Sequence, residues 1–211
     1  MYIPSSFDVS DQAALFEFAE RHSFATLVTR HGDAPFATHL PLLVDREVGA
    51  KGTIVGHVAR ANPQWRDAAG QTVLVVYQGA HAYVSPTWYA EPNTVPTWNY
   101  EAVHAYGTLA LVEDPAELTA LVARMVETYE RSMPEPWRFD SDAPMVAGLV
   151  KQIVGFRIEV ERWEGKAKLN QNHSVERRRR VVAALEQRPG EGEQAIAARM
   201  RSQWETGEST G

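Results

Sequence analysis

From residue 24 to residue 112 the chain reads as a succession of β-branched, apolar segments with almost no helical periodicity between them. FATLVT (24–29), FATHLPLLV (36–44), TIVGHV (53–58), QTVLVVYQ (71–78), the shorter AYVS (82–85) and a long stretch from Tyr100 to Val112 are bounded by Gly, Asn or Pro. Within FATHLPLLV, the residues Phe36, Thr38, Leu40, Leu42 and Val44 share one face. Later, GFRIEVERWEG (155–165) places Phe156, Ile158 and Val160 inward and Arg157, Glu159 and Glu161 outward. Parallel pairing needs a crossover between successive strands, usually a helix, and few helical patterns separate the strands here. The sheet is therefore expected to be mostly antiparallel. Closing it fully or partly into a barrel would remove exposed edges. The expected class is mainly β with peripheral helices (α+β), a small barrel.

Helices are predicted at the margins. Asp8 or Ser10 is positioned to cap a first helix reaching Arg21, with Ala14, Leu15, Phe18 and Ala19 inward. DPAELTALVARMVETYERS (114–132) has an Asp cap, a proline at the first helical position and an apolar face of Leu118, Leu121, Val122, Met125 and Val126. APMVAGLVKQIV (143–154) is a further helix candidate. Gly107, central in its strand, suggests a bend or bulge. From Ser174 the pattern is helical, broken at RPGEG (188–192). GEGEQA (190–195) matches a dinucleotide fingerprint by its letters, but it follows EQRP rather than a strand and reads as a turn between helices. The expected organisation is a barrel domain over 1–168 and a C-terminal helical arm over 169–211.

The 211 residues include no cysteine, which excludes disulfides, thiolate metal sites and cysteine nucleophiles and suits a reducing cytoplasm. The N-terminus lacks the basic start and apolar run of a signal peptide. No apolar stretch approaches the ~18 residues of a membrane span, so a soluble, cytoplasmic protein is expected. Residues 1–165 carry a net charge of -9 and residues 166–211 a net +3. This asymmetry makes nucleic-acid contact by the arm conceivable on electrostatic grounds alone. RRRR (177–180) sweeps around a helix axis rather than forming a stripe, and Val181, Val182 and Leu185 still need a core; a solvated helix is the expectation. Seven histidines, at 22, 31, 39, 57, 81, 104 and 173, never fall at the i, i+4 spacing of a helical metal pair. His39 and His57 could be neighbours on adjacent strands, which leaves a metal open, but hydrogen-bonded strand histidines are the expectation and no metal is assigned. The signatures of phosphate-loop nucleotidases, zinc proteases and serine-elbow hydrolases are absent.

Two features stand out chemically. SPTWY (85–89) and PTWNY (96–100) repeat a Pro-Thr-Trp corner, each offering a flat indole beside a hydroxyl. GHVARANPQW (56–65) sets His57, Arg60 and Asn62 just past a strand end, where backbone N–H groups are also free. THLP (38–41) carries a proline that breaks the strand ladder and releases backbone groups for a ring edge. Donors at one end and a flat apolar cradle at the other suit a planar ligand bearing a phosphate. Flavin mononucleotide (FMN) fits both; haem, with one committed axial ligand such as His39 or His57, fits less well.

MYIPSSF (1–7), THLPLLVD (38–45), GHVARANPQW, AYVSPTWY (82–89), VPTWNYEAVHAYG (95–107) and KLNQNHS (168–174) occur in this order. Together they resemble the FMN-binding negative transcriptional regulators of the PaiB family. The resemblance covers nearly the whole chain. It implies a flavin split barrel related to pyridoxamine-phosphate-oxidase-like proteins, homodimeric, with the flavin at the subunit interface. On this resemblance Thr38, His39, Leu40 and Pro41 would line the ring edge. His57, Arg60 and Asn62, helped by Lys168 and Gln171, would meet the phosphate. Trp88, or Trp98 and Asn99 of the partner subunit, would wall the ring. His173 stands where a basic residue such as arginine is expected.

The resemblance implies negative regulation of transcription. No helix-turn-helix signature is visible, and an acidic body repels phosphates, which favours an indirect mode over operator binding. An FMN-dependent oxidoreductase is the alternative, with His104 or Tyr106 as a proton source; a haem-binding barrel is a third. A half-closed barrel leaving a tryptophan-bearing apolar patch is a physical reason to expect a dimer.

Overall fold

The computed structural model describes residues 1–205, with side chains through Gln203. Its elements are β1 (Asp8–Val9), α1 (Gln12–Arg21), β2 (Phe24–His31), β3 (Ala34–Pro41), β4 (Leu43–Asp45), β5 (Thr53–Ala59), α2 (Gln64–Ala68), β6 (Thr72–Val84), β7 (Thr97–Val112), α3 (Pro115–Glu130), α4 (Pro144–Val150), β8 (Ile153–Lys168), α5 (Val175–Glu186) and α6 (Glu191–Glu205). The fold is mainly β with peripheral helices, as expected. Seven strands follow the order β3-β2-β6-β7-β8-β5-β4, and β1 pairs with β8. The β2–β3, β2–β6, β4–β5, β5–β8 and β1–β8 ladders are antiparallel.

Two compact units share these strands. One comprises Phe16–Tyr77 and His104–Trp163; the other comprises Met1–Leu15, Gln78–Val103 and the described residues from Glu164 onward. In the first, α3 lays Leu118, Leu121 and Met125 against Val55, Val112, Val146 and Val150. Asp114 caps α3 as its sequence implies, accepting Glu117 N–H at 2.8 Å, with Pro115 following. In the second, Val181, Val182 and Leu185 of α5 and Ile196, Ala197 and Met200 of α6 pack with Ala82, Val84, Tyr89 and Leu169. The arginine run is therefore carried on a helix with a buried apolar face.

Several local expectations need correction. Asp11, not Asp8 or Ser10, caps α1, accepting Ala14 N–H at 2.9 Å. Asp8 is withdrawn because it pairs with Lys166 in the β1–β8 ladder. Leu15, Phe16 and Ala19 are the buried residues there, and Phe18 instead lies half-buried against His22, ring centroids 4.4 Å apart. QTVLVVYQ and AYVS merge into one strand, β6. β7 runs unbroken through Gly107, where an added Cβ would lie 2.1 Å from Glu159 O. The glycine permits a close backbone approach rather than a bulge. GEGEQA begins α6 rather than forming a turn.

Candidate functional site

The stretch that sets a cation, an amide and an imidazole at the end of β5 has a local explanation. β5 ends at Ala59, and Arg60 N–H donates to Gln152 O at 2.7 Å. The Arg60 guanidinium donates from Nε to Lys151 O (2.7 Å) and from Nη2 to Ile153 O (2.8 Å). It also lies 5.9 Å from the Trp65 ring centroid, while Trp65 Nε1 donates to Arg60 O at 3.0 Å. The indole close behind the arginine thus holds it in place. Nη1 of Arg60 has no protein partner among the described residues, so the cation keeps donors for an anion.

Asn62 joins this corner to THLP. Its Oδ1 accepts Gln64 N–H at 2.9 Å, and its Nδ2 donates to Thr38 Oγ1 at 2.9 Å. Gln64 is buried and donates from Nε2 to Leu27 O and Phe36 O, each at 3.2 Å. Those bonds fasten α2 to the β2–β3 ladder. Sequence reasoning passed over Gln64, whose only signal was a glutamine directly after a helix-starting proline. Close packing supplies a second link: a Cβ on Gly56 would lie 2.6 Å from Leu42 Cδ2 and 3.4 Å from Pro41 O. A side chain there would separate β5 from the end of β3.

The proline of THLP acts differently from expectation. β3 stays in register through Pro41, opposite Phe24, and Leu42 N–H at once returns to Ser23 O at 2.9 Å. The ladder toward β2 is not opened. Free backbone groups arise instead because β3 stands at the end of the strand order, so its other edge carries no ladder among the described residues. Leu40 is buried; His39 is exposed, with Nδ1 at 2.9 Å from Thr26 Oγ1. His57 is half-buried, and its Nδ1 is buried without a hydrogen-bond partner among the described residues. A buried polar atom left this way costs free energy unless something else satisfies it. The edge of β3, the unpartnered His57 nitrogen and the spare Arg60 donors fit a planar, phosphorylated group.

The remaining candidates lie in the other unit. Trp98 is exposed, packed edge-on against Tyr83 (5.8 Å between centroids) and tilted against His81 (6.0 Å). Lys168 Nζ donates to Trp98 O at 2.8 Å and to Thr97 Oγ1, and burial, then the charge of Lys166, pulls its pKa below the usual lysine range. Trp88 is half-buried against the core of this unit. Asn99 is fully buried, its amide donating to Met200 Sδ at 3.3 Å. Gln171 turns back on its own segment, accepting Leu169 N–H at 2.6 Å and donating to Ala167 O. His173 receives Arg177 Nη1 at 2.8 Å, and Arg177 covers the Tyr89 ring at 4.2 Å. Arg177, four residues on, thus sets its guanidinium against the His173 ring. Among the described residues no group of histidine, aspartate and glutamate side chains could hold a metal ion.

Burial lowers the pKa of His57, of His104 and, with the nearby Arg177 charge, of His173 from the ordinary 6.5. The unfolded chain takes up these protons near its ordinary value, whereas the native protein resists them. Stability that is full above the unfolded pKa is thus lost as pH falls from about 6.5 toward the lowered native values. The urea midpoint is expected to drop between pH 7 and pH 5. His57→Gln should flatten that slope by at most one proton's worth, about 1.4 kcal/mol per pH unit. An unchanged slope would show that His57 protonates equally well in both states.

Solved structures define the fold class. The FAD and heme binding protein of Mycobacterium smegmatis superposes with a TM-score of 0.58 at 13% identity, covering 84% of this chain and 79% of that one. The flavocytochrome Anf3 of Azotobacter vinelandii gives 0.57 at 15%, covering 76% and 69%. The fold is that of the flavin split barrels. Residues 1–162 match the family model described as "Putative FMN-binding domain". The protein is 40% identical to protease synthase and sporulation protein PAI 2 of Bacillus subtilis over 188 residues, 88% of this chain and 89% of that one. The chain belongs to this FMN-binding, PaiB-like family.

Proposed function

We propose that this protein is a homodimeric, FMN-binding regulator that lowers transcription of its target genes without itself gripping an operator. The observation that carries the reading is the Asn62–Thr38 link, which brings the edge of β3 to the corner bearing His57 and Arg60. Thr38, His39, Leu40 and Pro41 would hold the ring edge, and His57 and Arg60 the phosphate, with Asn62 fixing the two segments to each other. Lys168, Gln171, Trp88 and Trp98 remain candidates for flavin contact from the resemblance alone, whereas Asn99, fully buried in its own chain with its amide on Met200, is withdrawn. When bound, the flavin supplies hydride and electron transfer, and the chain supplies orientation and charge.

The regulatory part leans on the Bacillus relative, whose name ties it to protease synthesis and sporulation. The indirect mode is favoured by the arginine run. Arg177 is shared among Tyr89, His173 and Glu91, Arg180 binds Tyr89 O and Glu176, and Arg178 and Arg179 also have protein partners. Arginines already paired release few counterions from DNA. The exposed aromatic residues Phe24 on β2 and Trp98 on β7 suit burial in a dimer.

A flavin oxidoreductase is the second reading, favoured by His104. Its Nδ1 lies 3.5 Å from Tyr106 OH, beside the Arg162 guanidinium that covers the Tyr106 ring at 3.8 Å.

The absorption spectrum of the purified protein tests the reading. A band near ~450 nm supports flavin, and a band near ~400 nm on haemin addition points to haem instead. Flavin reduction by NADPH with turnover would favour the oxidoreductase, and a salt-dependent shift of promoter DNA would favour direct repression. Arg60→Ala should weaken FMN binding by ~1.5–3 kcal/mol, the range of a charge-assisted hydrogen bond. Unchanged affinity by fluorescence quenching would remove Arg60 from the site.

A further inference from the structure

A cavity of about 520 Å³ lies beneath α3, within the unit of Phe16–Tyr77 and His104–Trp163, and none of the residues assigned to flavin lines it. Its volume falls in the range of small-molecule sites. Val55, Val112 and Leu121 supply an apolar lining. Five charged side chains also face it: Asp45, Glu117, Arg124, Arg157 and Glu159.

The pairing of these charges is incomplete. Arg124 meets both oxygens of Asp45 through Nη2 alone, at 3.0 and 3.1 Å. Arg157 likewise meets Glu117 through Nη2 alone. Neither arginine uses the two-nitrogen fork that makes such pairs strong, and Nη1 of each has no protein partner among the described residues. Glu159, outward on β8, has no hydrogen-bond or ion-pair partner among the described residues. A simple anion entering here meets three carboxylates, and a simple cation meets two guanidinium groups. A ligand carrying both signs answers both the unpaired Glu159 and the spare guanidinium donors.

We propose that this cavity binds a free α-amino acid with an apolar side chain. Its ammonium group pairs with Glu159, its carboxylate takes the spare Nη1 donors of Arg124 or Arg157, and its side chain rests on Val55, Val112 and Leu121. The site is separate from the flavin reading and stands without it. In a flavin-binding regulator, it gives the chain a second small-molecule input.

Calorimetric titration of the full chain with L-leucine tests this, alongside 4-methylpentanoate, which lacks the ammonium, and 3-methylbutylamine, which lacks the carboxylate. Saturable binding of leucine is expected, with each analogue weaker by at least roughly tenfold. Glu159→Gln should weaken leucine by roughly tenfold while leaving the near-ultraviolet circular dichroism and FMN binding unchanged. Ala120→Trp, placed on the exposed side of α3 facing the hollow, should abolish binding. The proposal is overturned if leucine gives no saturable heat through the millimolar range. Equal binding of either analogue, or full leucine affinity in Glu159→Gln, overturns it as well.

Discussion

Gly107→Ala is expected to destabilise the protein by about 3 kcal/mol or more, the upper range for forcing atoms into a filled interior. The added methyl would sit 2.1 Å from Glu159 O, 2.8 Å from Glu159 C and 2.9 Å from Ile158 Cγ2. Two of those atoms are backbone of β8, in the same unit, and cannot step aside as a flexible side chain can. Strands β7 and β8 would have to separate. Against a typical total of about 5–15 kcal/mol, such a loss leaves a marginal fold. For a chain of this size it corresponds to a fall of roughly 6–12 °C in Tm. Urea or thermal unfolding reads the effect directly, and a loss under about 1 kcal/mol would mean that the strands are less tightly apposed than described.

The second large effect concerns a buried carboxylate. Glu101 on β7 is 6% exposed and receives a fork from Arg199 of α6, with Nε at 3.0 Å from each oxygen and Nη2 at 2.8 Å from one. Removing one member of a buried pair costs about 3–5 kcal/mol, because the other charge is left dry and alone. Arg199 itself is 45% exposed, so water screens part of this, and roughly 2–3 kcal/mol is the expected loss for Arg199→Ala. A second substitution identifies the cause: Arg199→Met keeps an apolar stem without the charge. A loss close to that of Arg199→Ala assigns it to the broken pair, and a loss under about 1 kcal/mol assigns it to packing of the arginine stem instead.

The parts of the fold legible in sequence are those governed by period and capping. β8 shows its alternation, and α3 shows Asp114, Pro115 and an apolar face, so both could be read without a structure. Glycine misled twice because its meaning depends on what stands opposite. At Gly107 the reason for glycine is a carbonyl contributed by a strand some fifty residues away in sequence. At Gly192, inside the first turn of α6, a Cβ would fall 2.5 Å from His81 O. The helix starts there despite two glycines because only a bare backbone fits against β6, and Glu191 and Glu193 in that turn suit its positive end.

The candidate site divides in the same way. The residue types in GHVARANPQW and THLP announced polar chemistry, and the Asn62–Thr38 bond joins the two stretches. What could not be read was how much of that chemistry is consumed internally. Arg60 spends two nitrogens on carbonyls of residues 151 and 153, and Gln64 spends its amide on β2 and β3. Those partners lie far off in sequence and leave no periodic trace. The same holds for Glu101, whose strand pattern hides a counter-charge almost a hundred residues later.

Titration of the flavin-free protein with FMN and with riboflavin, followed by quenching of flavin fluorescence, tests the central claim most directly. The two ligands share the ring and differ in the phosphate, which the corner at His57 and Arg60 is assigned to hold. Saturable binding of FMN is predicted, with riboflavin weaker by at least roughly tenfold. Equal affinity for both, or no quenching by either, would contradict it.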